Sequence, residues 1–492
     1  MRPEPDRQDQ GRKERDRMKV AFHTLGCKVN QYETEAMAEE FRKAGHTIVD
    51  ENEPADVYVV NTCTVTNLAS RKSRQFIRRM KTREPDCIMV VTGCYAQIDT
   101  DKVAEIEGVN IICGTNEKKG IVKRVEAYEK ARRQGPCESF SAEKNRESMA
   151  AGKTGDMVET HVLSYDALDE YVSNGIITGA SDRTRAFIKI QEGCDRFCSY
   201  CIIPYARGPV RSRDRAEIID EAKTLVRGGY REIVLTGINT ALYGRESGSG
   251  FPLKDLLCDL DMIEGDFRIR LSSLEPTVVN AEMVKLLMRS EKLCHHLHLS
   301  IQSGSDRILK AMNRPYSRDD YLRIADVLKE ADPDYGITTD IIAGFPGETE
   351  DDFKDSLDII EKAGFCRVHA FNYSVRPGTA AERMDGHIDP QIRKERTERL
   401  AAAGEKAFEE FCRRLDGKVR RVLTEEPDKS GRFITGYTDN YVRVRIPAES
   451  CTTNMFCDVR LSAESAADAA EGAKDSENGG LHESVMMGEP KR

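Results

Sequence analysis

The chain has 492 residues, 39% of them hydrophobic and 32% charged, with a formal net charge of -9. At roughly 100 to 200 residues per domain, two to four domains fit, while the negative charge speaks against a generally basic nucleic-acid binder. No run approaches the ~18 apolar residues of a membrane helix, and the opening MRPEPDRQDQGRKERDR lacks the apolar core of an export signal, so a cytoplasmic location is expected.

From Met18 the chain alternates strands and helices: MKVAFHT, a helix from about Asn30 to Ala44, DVYVVNT, a basic helix from about Asn67, then CIMVVTG. This pattern predicts a parallel α/β sheet. Residues 134–181 are polar and irregular, a linker crossed by one short ordered stretch at most. A second alternation follows, AFIKI, REIVLTG, FRIRLSS, HLHLSIQ, YGITTDIIAG and RVHAFNY, and six strand–helix units close most naturally as a partial barrel with its site at the carboxyl ends of the strands. From about Arg413 to Leu461 the short runs KVRRVLT, RFITGY and YVRVRIP predict a small β-barrel. The Ala-, Glu-, Gly- and Ser-rich remainder reads as a disordered tail.

Fifteen cysteines in a long chain without an export signal point to metal binding, redox chemistry or core packing. GCDRFCSYC places Cys194, Cys198 and Cys201 on one loop after the first barrel strand. Iron–sulfur clusters are normally held by four thiolates, so three ligands on a four-iron cube leave one iron free for a substrate or cofactor. A zinc loop or chance packing of thiols are the alternatives, and the absence of a nearby fourth Cys or His argues against a closed zinc shell. Cys27, Cys63 and Cys94 each fall just after a strand, in TLGCKVN, NTCTVTN and TGCYAQ, which in a parallel sheet puts all three at one edge. By composition alone they read better as small buried hydrophobes, and it is the equivalent placement after successive strands that reverses this.

Gly344, Pro346 and Gly347 in DIIAGFPGET follow a strand, where the backbone can approach a ligand closely or simply turn. Gly237 and Asn239 in LTGIN end another strand. Arg71, Arg74, Arg78 and Lys81 fall along one face of the basic helix, either a solvated face or a phosphate track. Arg207, Arg211 and Arg213 follow the Cys194 loop, where contact with the phosphates of an RNA substrate is favoured over a solvated charged face. In the terminal β segment Arg420, Arg421, Arg432, Arg443 and Arg445 supply positive charge, and Phe433, Tyr437 and Tyr441 either stack on unpaired bases or fill the barrel. His295, His296 and His298 alternate through a strand, which fits ordinary packing better than a metal site.

Taken together, TLGCKVN, NTCTV, TGCYAQ, RAFIKIQEGCDRFCSYCIIPYARG, LTGIN, SSLEP, LSIQSGSDRILKAMNR, DIIAGFPGETEDDF and YSVRPGTAA make the chain from Met18 to about Leu461 resemble the radical S-adenosylmethionine methylthiotransferases. On that resemblance the architecture is α/β: a methylthiotransferase domain over 18–133, a linker over 134–181, a partial (β/α)6 radical SAM barrel over 182–412 and an all-β, TRAM-like RNA-binding barrel over 413–461, with disordered ends at 1–17 and 462–492. Met18 itself matches the usual start of the family.

The resemblance implies that Cys194, Cys198 and Cys201 hold a 4Fe–4S cluster whose open iron is chelated by S-adenosylmethionine, the source of a 5′-deoxyadenosyl radical. It implies a second, auxiliary 4Fe–4S cluster on Cys27, Cys63 and Cys94, carrying the sulfur to be inserted, and structural roles for the other cysteines. Tyr200 would lie near the adenine, with core packing its equal alternative, and Gly237, Asn239, Gly344, Pro346 and Gly347 would line the cofactor pocket. Lys28, Val29 and Asn30 resemble the group acting on threonylcarbamoyladenosine beside the tRNA anticodon, at position 37, rather than the groups acting on isopentenyladenosine or a ribosomal-protein aspartate. The implied reaction replaces the adenine C2 hydrogen by methylthio, with S-adenosylmethionine also the methyl donor. The implied partners are the tRNA anticodon stem-loop, an electron donor such as flavodoxin or ferredoxin, and a sulfur source. The other two substrates, or a non-catalytic iron–sulfur RNA-binding or sensing protein, are the alternatives.

Overall fold

In the computed structural model the described residues are 17–134, 150–151, 157–173, 175, 177, 184–248, 252–463 and 485–490. The expected N-terminal extension lies outside them. The chain divides into two compact units, one of residues 1–180, 193–195 and 202–211, the other of 181–192, 196–201 and 212–492. In this division Cys194 falls in the first unit and Cys198 and Cys201 in the second.

The first unit is built on a seven-stranded sheet. Its strands are β1 (Lys19–Thr24), β2 (Thr47–Val49), β3 (Val57–Thr62), β4 (Ile88–Gly93), β5 (Ile111–Cys113), β6 (Ala150–Ala151) and β7 (Met157–His161), in the order β2-β1-β3-β4-β5-β7-β6. All pairings are parallel except β6 with β7. Because helices cover both faces, the central strands are apolar throughout rather than alternating. Val57 and Val59 pack with Met37 and Phe41, while Tyr58 and Val60 pack with Phe76, Ile77 and Met80. Where one short ordered stretch at most was expected, the 134–181 segment holds both β6 and β7, and β7 extends the sheet at β5.

In the second unit six parallel strand positions form the partial barrel. β8 (Arg185–Lys189) pairs with β9 (Glu232–Thr236), and β9 with β10 (Arg268–Leu271). β10 is broken from β11 (Ser273–Leu274) at Ser272, and β11, β12 (His296–Leu299), β13 (Gly336–Ala343) and β14 (Arg367–Asn372) pair in that order. One core joins Ile188, Leu235, Leu271, Leu299 and Ile341 to the surrounding helices. A 26-residue helix, Pro390–Leu415, buries Leu400, Gly404, Ala407, Phe411 and Leu415 along one stripe at helical spacing.

The terminal barrel is closed, from β15 (Val419–Pro427), β16 (Phe433–Thr438), β17 (Arg443–Pro447), β18 (Phe456–Ser462) and β19 (Met486–Pro490). β19 corrects the expectation of a disordered tail from 462 onward. It runs parallel to β17 and antiparallel to β18, covering two sheet edges that would otherwise carry unpaired peptide groups. A side chain at Gly488 would sit 2.7 Å from Val444 Cγ1, so glycine is what lets this strand lie flat on the core.

The terminal barrel seals the amino ends of the six strands. Glu232, fully buried, binds Arg268 Nε at 2.5 Å and Arg270 Nε at 3.0 Å, with Arg185 at 3.9 Å. Burial pushes its carboxyl up, but the three guanidinium groups outweigh this and hold it well below the usual carboxylate range. Arg268 and Arg270 also donate to the carbonyls of Tyr437, Thr438 and Asp439 in the terminal barrel. Tyr441 stacks on His296 at 4.5 Å and lies under Arg270 at 4.7 Å, and Tyr437 lies under Arg185 at 4.6 Å. Neither expected role, base stacking nor barrel filling, falls to these two tyrosines. They dock one domain on the other.

Candidate active site

In the first unit each cysteine of the Cys27, Cys63 and Cys94 set stands where a strand hands over to a helix. Cys27 precedes the helix Lys28–Lys43, Cys63 follows β3, and Cys94 opens the short helix Cys94–Ile98. Parallel neighbours β1, β3 and β4 therefore deliver three thiols to one edge. Burial, then the neighbouring Cys94 and Cys27 sulfurs, push the Cys63 thiol up to about 12. The convergence depends on two glycines with positive φ. A Cβ on Gly26 (φ +109) would lie 2.9 Å from Cys63 Sγ, and one on Gly93 (φ +95) would lie 2.4 Å from the Thr62 carbonyl.

Asn30, buried at the start of the first helix, holds two of the three segments together. Its Nδ2 donates to the Leu25 carbonyl at 2.7 Å and the Thr62 carbonyl at 3.0 Å. Arg207 reaches the third, its Nε donating to Cys94 Sγ at 3.2 Å. Closely spaced thiols in a glycine cradle with a cation at one sulfur suit an anionic thiolate cluster.

The second cysteine set is organised locally. In the first unit the Cys194 N–H donates to the Gly208 carbonyl at 3.0 Å. In the second unit Ser199 fastens the loop, its N–H donating to the Met312 carbonyl and its Oγ to the Ala311 carbonyl. Asn313, at φ +60, donates to the carbonyls of Arg196 and Phe197. Arg314 Nη1 lies 3.3 Å from Cys198 Sγ. Tyr200 packs on the cluster of Ile308, Met312, Phe345, Tyr373 and Ala381, and burial pushes its phenol up.

At the strand ends of the second unit, Gly344 (φ +75) is backed by Arg393, whose Cγ would lie 2.2 Å from an added Cβ, and its N–H donates to Glu348 at 3.1 Å. Gly347 (φ +78) faces open space, so glycine is required there by its backbone angle. The Asn239 N–H donates to Gln191 at 3.0 Å, and Asn239 Nδ2 to Glu275 at 3.1 Å. Glu275 also accepts from Arg196 Nε at 2.7 Å. Asn239 Oδ1 is buried without a hydrogen bond, an acceptor left over beside Gly237.

Residues 188–360 match the Radical SAM superfamily, and residues 19–114 match a family described as uncharacterized protein family UPF0004. The threonylcarbamoyladenosine tRNA methylthiotransferase MtaB of Bacillus subtilis is 42% identical over 86% of this chain and 89% of that relative. The MtaB of Thermotoga maritima is 38% identical over 86% and 90%. A tRNA-2-methylthio-N(6)-dimethylallyladenosine synthase of Acetivibrio thermocellus is 32% identical over 90% and 88%. The chain belongs to the radical SAM methylthiotransferase family. Its fold is shared with the radical S-adenosylmethionine methyltransferase TsrM of Kitasatospora setae, at a TM-score of 0.53 and 15% identity over 74% of this chain and 77% of that one. As a radical SAM methylthiotransferase it uses S-adenosylmethionine and 4Fe–4S clusters.

For a methylthiotransferase whose substrate is a polyanion, the exposed cations matter, and the structure redistributes the expected ones. On the helix Asn67–Arg83, Arg71 and Arg78 are exposed. Arg74 donates to the Tyr95 hydroxyl, and Lys81 to the Cys87 carbonyl. Arg207, Arg211 and Arg213 are corrected as RNA contacts, since all three are buried. Arg207 meets Glu33, Arg211 donates to the carbonyls of Glu170 and Arg207, and Arg213 pairs with Glu221. In the terminal barrel Arg420 is taken by Asp334, Arg421 by Asp266 and Arg445 by Asp428. His298 is hydrogen-bonded to Asp340 and Thr338, and His296 to Thr338, while His298, Asp340 and His369 bring three ligand-type atoms within 4.8 Å of one another.

Sequence reasoning missed Glu33, Lys118, Glu275 and Arg314. Glu275 stands in SSLEP at a strand end and was findable there. Lys118, on a surface-like EKKG run, carried no such signal. Among the described residues no helix is long and apolar enough to cross a membrane.

Proposed function

We propose that this chain converts N6-threonylcarbamoyladenosine at position 37 of tRNA to its 2-methylthio derivative. The observation that carries the reading is that Cys27, Cys63 and Cys94 come to one sheet edge in a chain that also carries a radical SAM domain. A second thiolate centre gives the sulfur to be inserted a place to bind. The 42% identity to the MtaB of Bacillus subtilis supports the threonylcarbamoyl substrate over the dimethylallyl one.

In this reading Cys194, Cys198 and Cys201 hold one cluster and Cys27, Cys63 and Cys94 the other. When bound, the first cluster and S-adenosylmethionine supply a 5′-deoxyadenosyl radical, needed because an adenine C2–H bond is too strong for a positioned base. Arg314 holds Cys198, and Ser199 and Asn313 keep the loop in shape. Gly237, Asn239, Gly344, Pro346 and Gly347 line the cofactor pocket, where Asn239 Oδ1 offers a free acceptor. Tyr200 braces that wall through Phe345. Arg71 and Arg78 meet phosphates, and exposed Val65 and Leu68, just past Cys63, contact the anticodon loop. The partners are the tRNA anticodon stem-loop, a flavodoxin- or ferredoxin-type electron donor and a sulfur source.

Mass spectrometry of tRNA nucleosides from a deletion strain tests this. Methylthio-threonylcarbamoyladenosine should vanish and return with the gene. Loss of the methylthio-isopentenyladenosine peak instead, or an unchanged profile, overturns it.

A further inference from the structure

We propose that Arg207 is a positioning residue of the Cys27–Cys63–Cys94 centre, setting both its ligand geometry and its reduction potential. This rests on the reading that those thiols hold an iron–sulfur cluster. Arg207 was expected on the surface, facing RNA. It is instead wholly buried in the first unit, although it lies only six residues past Cys201 in the chain. Burying a guanidinium costs several kcal/mol unless its N–H groups are used, and here all three nitrogens donate at this centre. Nε donates to Cys94 Sγ at 3.2 Å, Nη1 to Glu33 Oε1 at 2.7 Å, and Nη2 to Asn30 Oδ1 at 2.6 Å and Glu33 Oε2 at 3.1 Å.

The Asn30 contact extends the reach of Arg207 to the other two cysteines. The same amide donates to the Leu25 and Thr62 carbonyls, which border Gly26–Cys27 and Cys63. One side chain thus holds Cys94 directly and the other two ligand segments through one intermediary. Glu33, fully buried and also paired with Lys118, fixes the orientation of the fork. Lysine has no planar fork and cannot bond a sulfur, a carboxylate and an amide in fixed directions at once.

The electrostatic consequence follows from the same contact. A cationic N–H donating to a ligand sulfur draws charge from it and favours the reduced, more negative cluster, one of the levers by which proteins set iron–sulfur potentials. Arg207 should therefore raise the potential of this centre, and Glu33, which offsets the guanidinium charge, should lower it.

The test uses the full-length chain with Cys194, Cys198 and Cys201 replaced by Ala, so that any reconstituted cluster sits on Cys27, Cys63 and Cys94. Iron per chain and an EPR-monitored redox titration are then read for this protein and for its Arg207→Lys and Glu33→Gln derivatives. The expected result is weaker cluster retention by about 10- to 100-fold and a more negative potential for Arg207→Lys, and a more positive potential for Glu33→Gln. Opposite shifts distinguish an electrostatic positioning role from loss of fold, which would lower iron content in both without opposing the potentials. Unchanged potential and retention in Arg207→Lys, or shifts of the same sign in both, overturn the proposal. If Arg207→Lys does not fold, Glu33→Gln decides alone: a positive shift supports the proposal and no shift or a negative one overturns it. A reference protein that binds no iron would instead overturn the cluster reading itself.

Discussion

The two cysteine sets solve one chemical problem in opposite ways. Cys194, Cys198 and Cys201 lie on a single loop, so their proximity is largely a matter of covalent chain length. Cys27, Cys63 and Cys94 span 68 positions of sequence and meet only because β1, β3 and β4 are parallel neighbours in register. Yet each set has one sulfur held by an arginine N–H, Cys198 by Arg314 and Cys94 by Arg207. The local set depends on loop fasteners such as Ser199 and Asn313, whereas the dispersed set depends on the whole sheet and on a glycine cradle. A defect in the sheet should therefore disable one set and spare the other.

The largest effects should come from the ligands. Cys198→Ser should abolish 5′-deoxyadenosine formation and product together. Cys63→Ser should retain 5′-deoxyadenosine formation while methylthiolated nucleoside falls to background, as liquid chromatography with mass spectrometry of one reaction would reveal. Loss of both activities in Cys63→Ser would break the separation between the sets. Outside both sets, Glu232→Gln leaves three arginines facing a neutral amide and should cost about 3–5 kcal/mol in denaturant unfolding. If the sets are independent of that interface, iron content should hold under native conditions.

Smaller changes sharpen the contrast. Gly93→Ala places a methyl 2.4 Å from the Thr62 carbonyl at a φ that alanine avoids. It should cost roughly 1–3 kcal/mol and lower iron at the dispersed set alone, measured against the protein with the local set removed. Asn313→Ala, at φ +60 and with two carbonyls released, should do the reverse.

The smallest effect is a pH dependence outside both sets. The Asp332 carboxylate, 2.6 Å away, raises the His295 pKa above its ordinary value near 6.5. Its contribution is therefore full below about pH 6.5 and is lost as pH rises through the raised value. His295→Asn should flatten that slope in thermal melts without changing iron content.

How much could be read beforehand varied with the kind of signal. Parallel strands buried on both faces are apolar throughout, so the strand positions and the cysteines that end them were legible by inspection. Met486–Pro490 was not, because five strand residues in an acidic, glycine-rich tail have no periodicity of their own and become a strand only against β17 and β18. The arginines misled for a related reason. A cation in sequence looks the same whether it faces RNA, as proposed for Arg71, or a buried carboxylate, as for Arg207 and Arg213.

The sequence by itself determined the α/β order, the family and both groups of cysteines, because these reside in spacing and residue type. Tertiary structure alone decided that Arg207 serves a sulfur rather than a phosphate, and that Tyr437 and Tyr441 dock a domain rather than a base. The partner of a charged or aromatic group is chosen by what lies within a few ångströms of it, and for these residues that neighbour lies more than a hundred positions away in the chain.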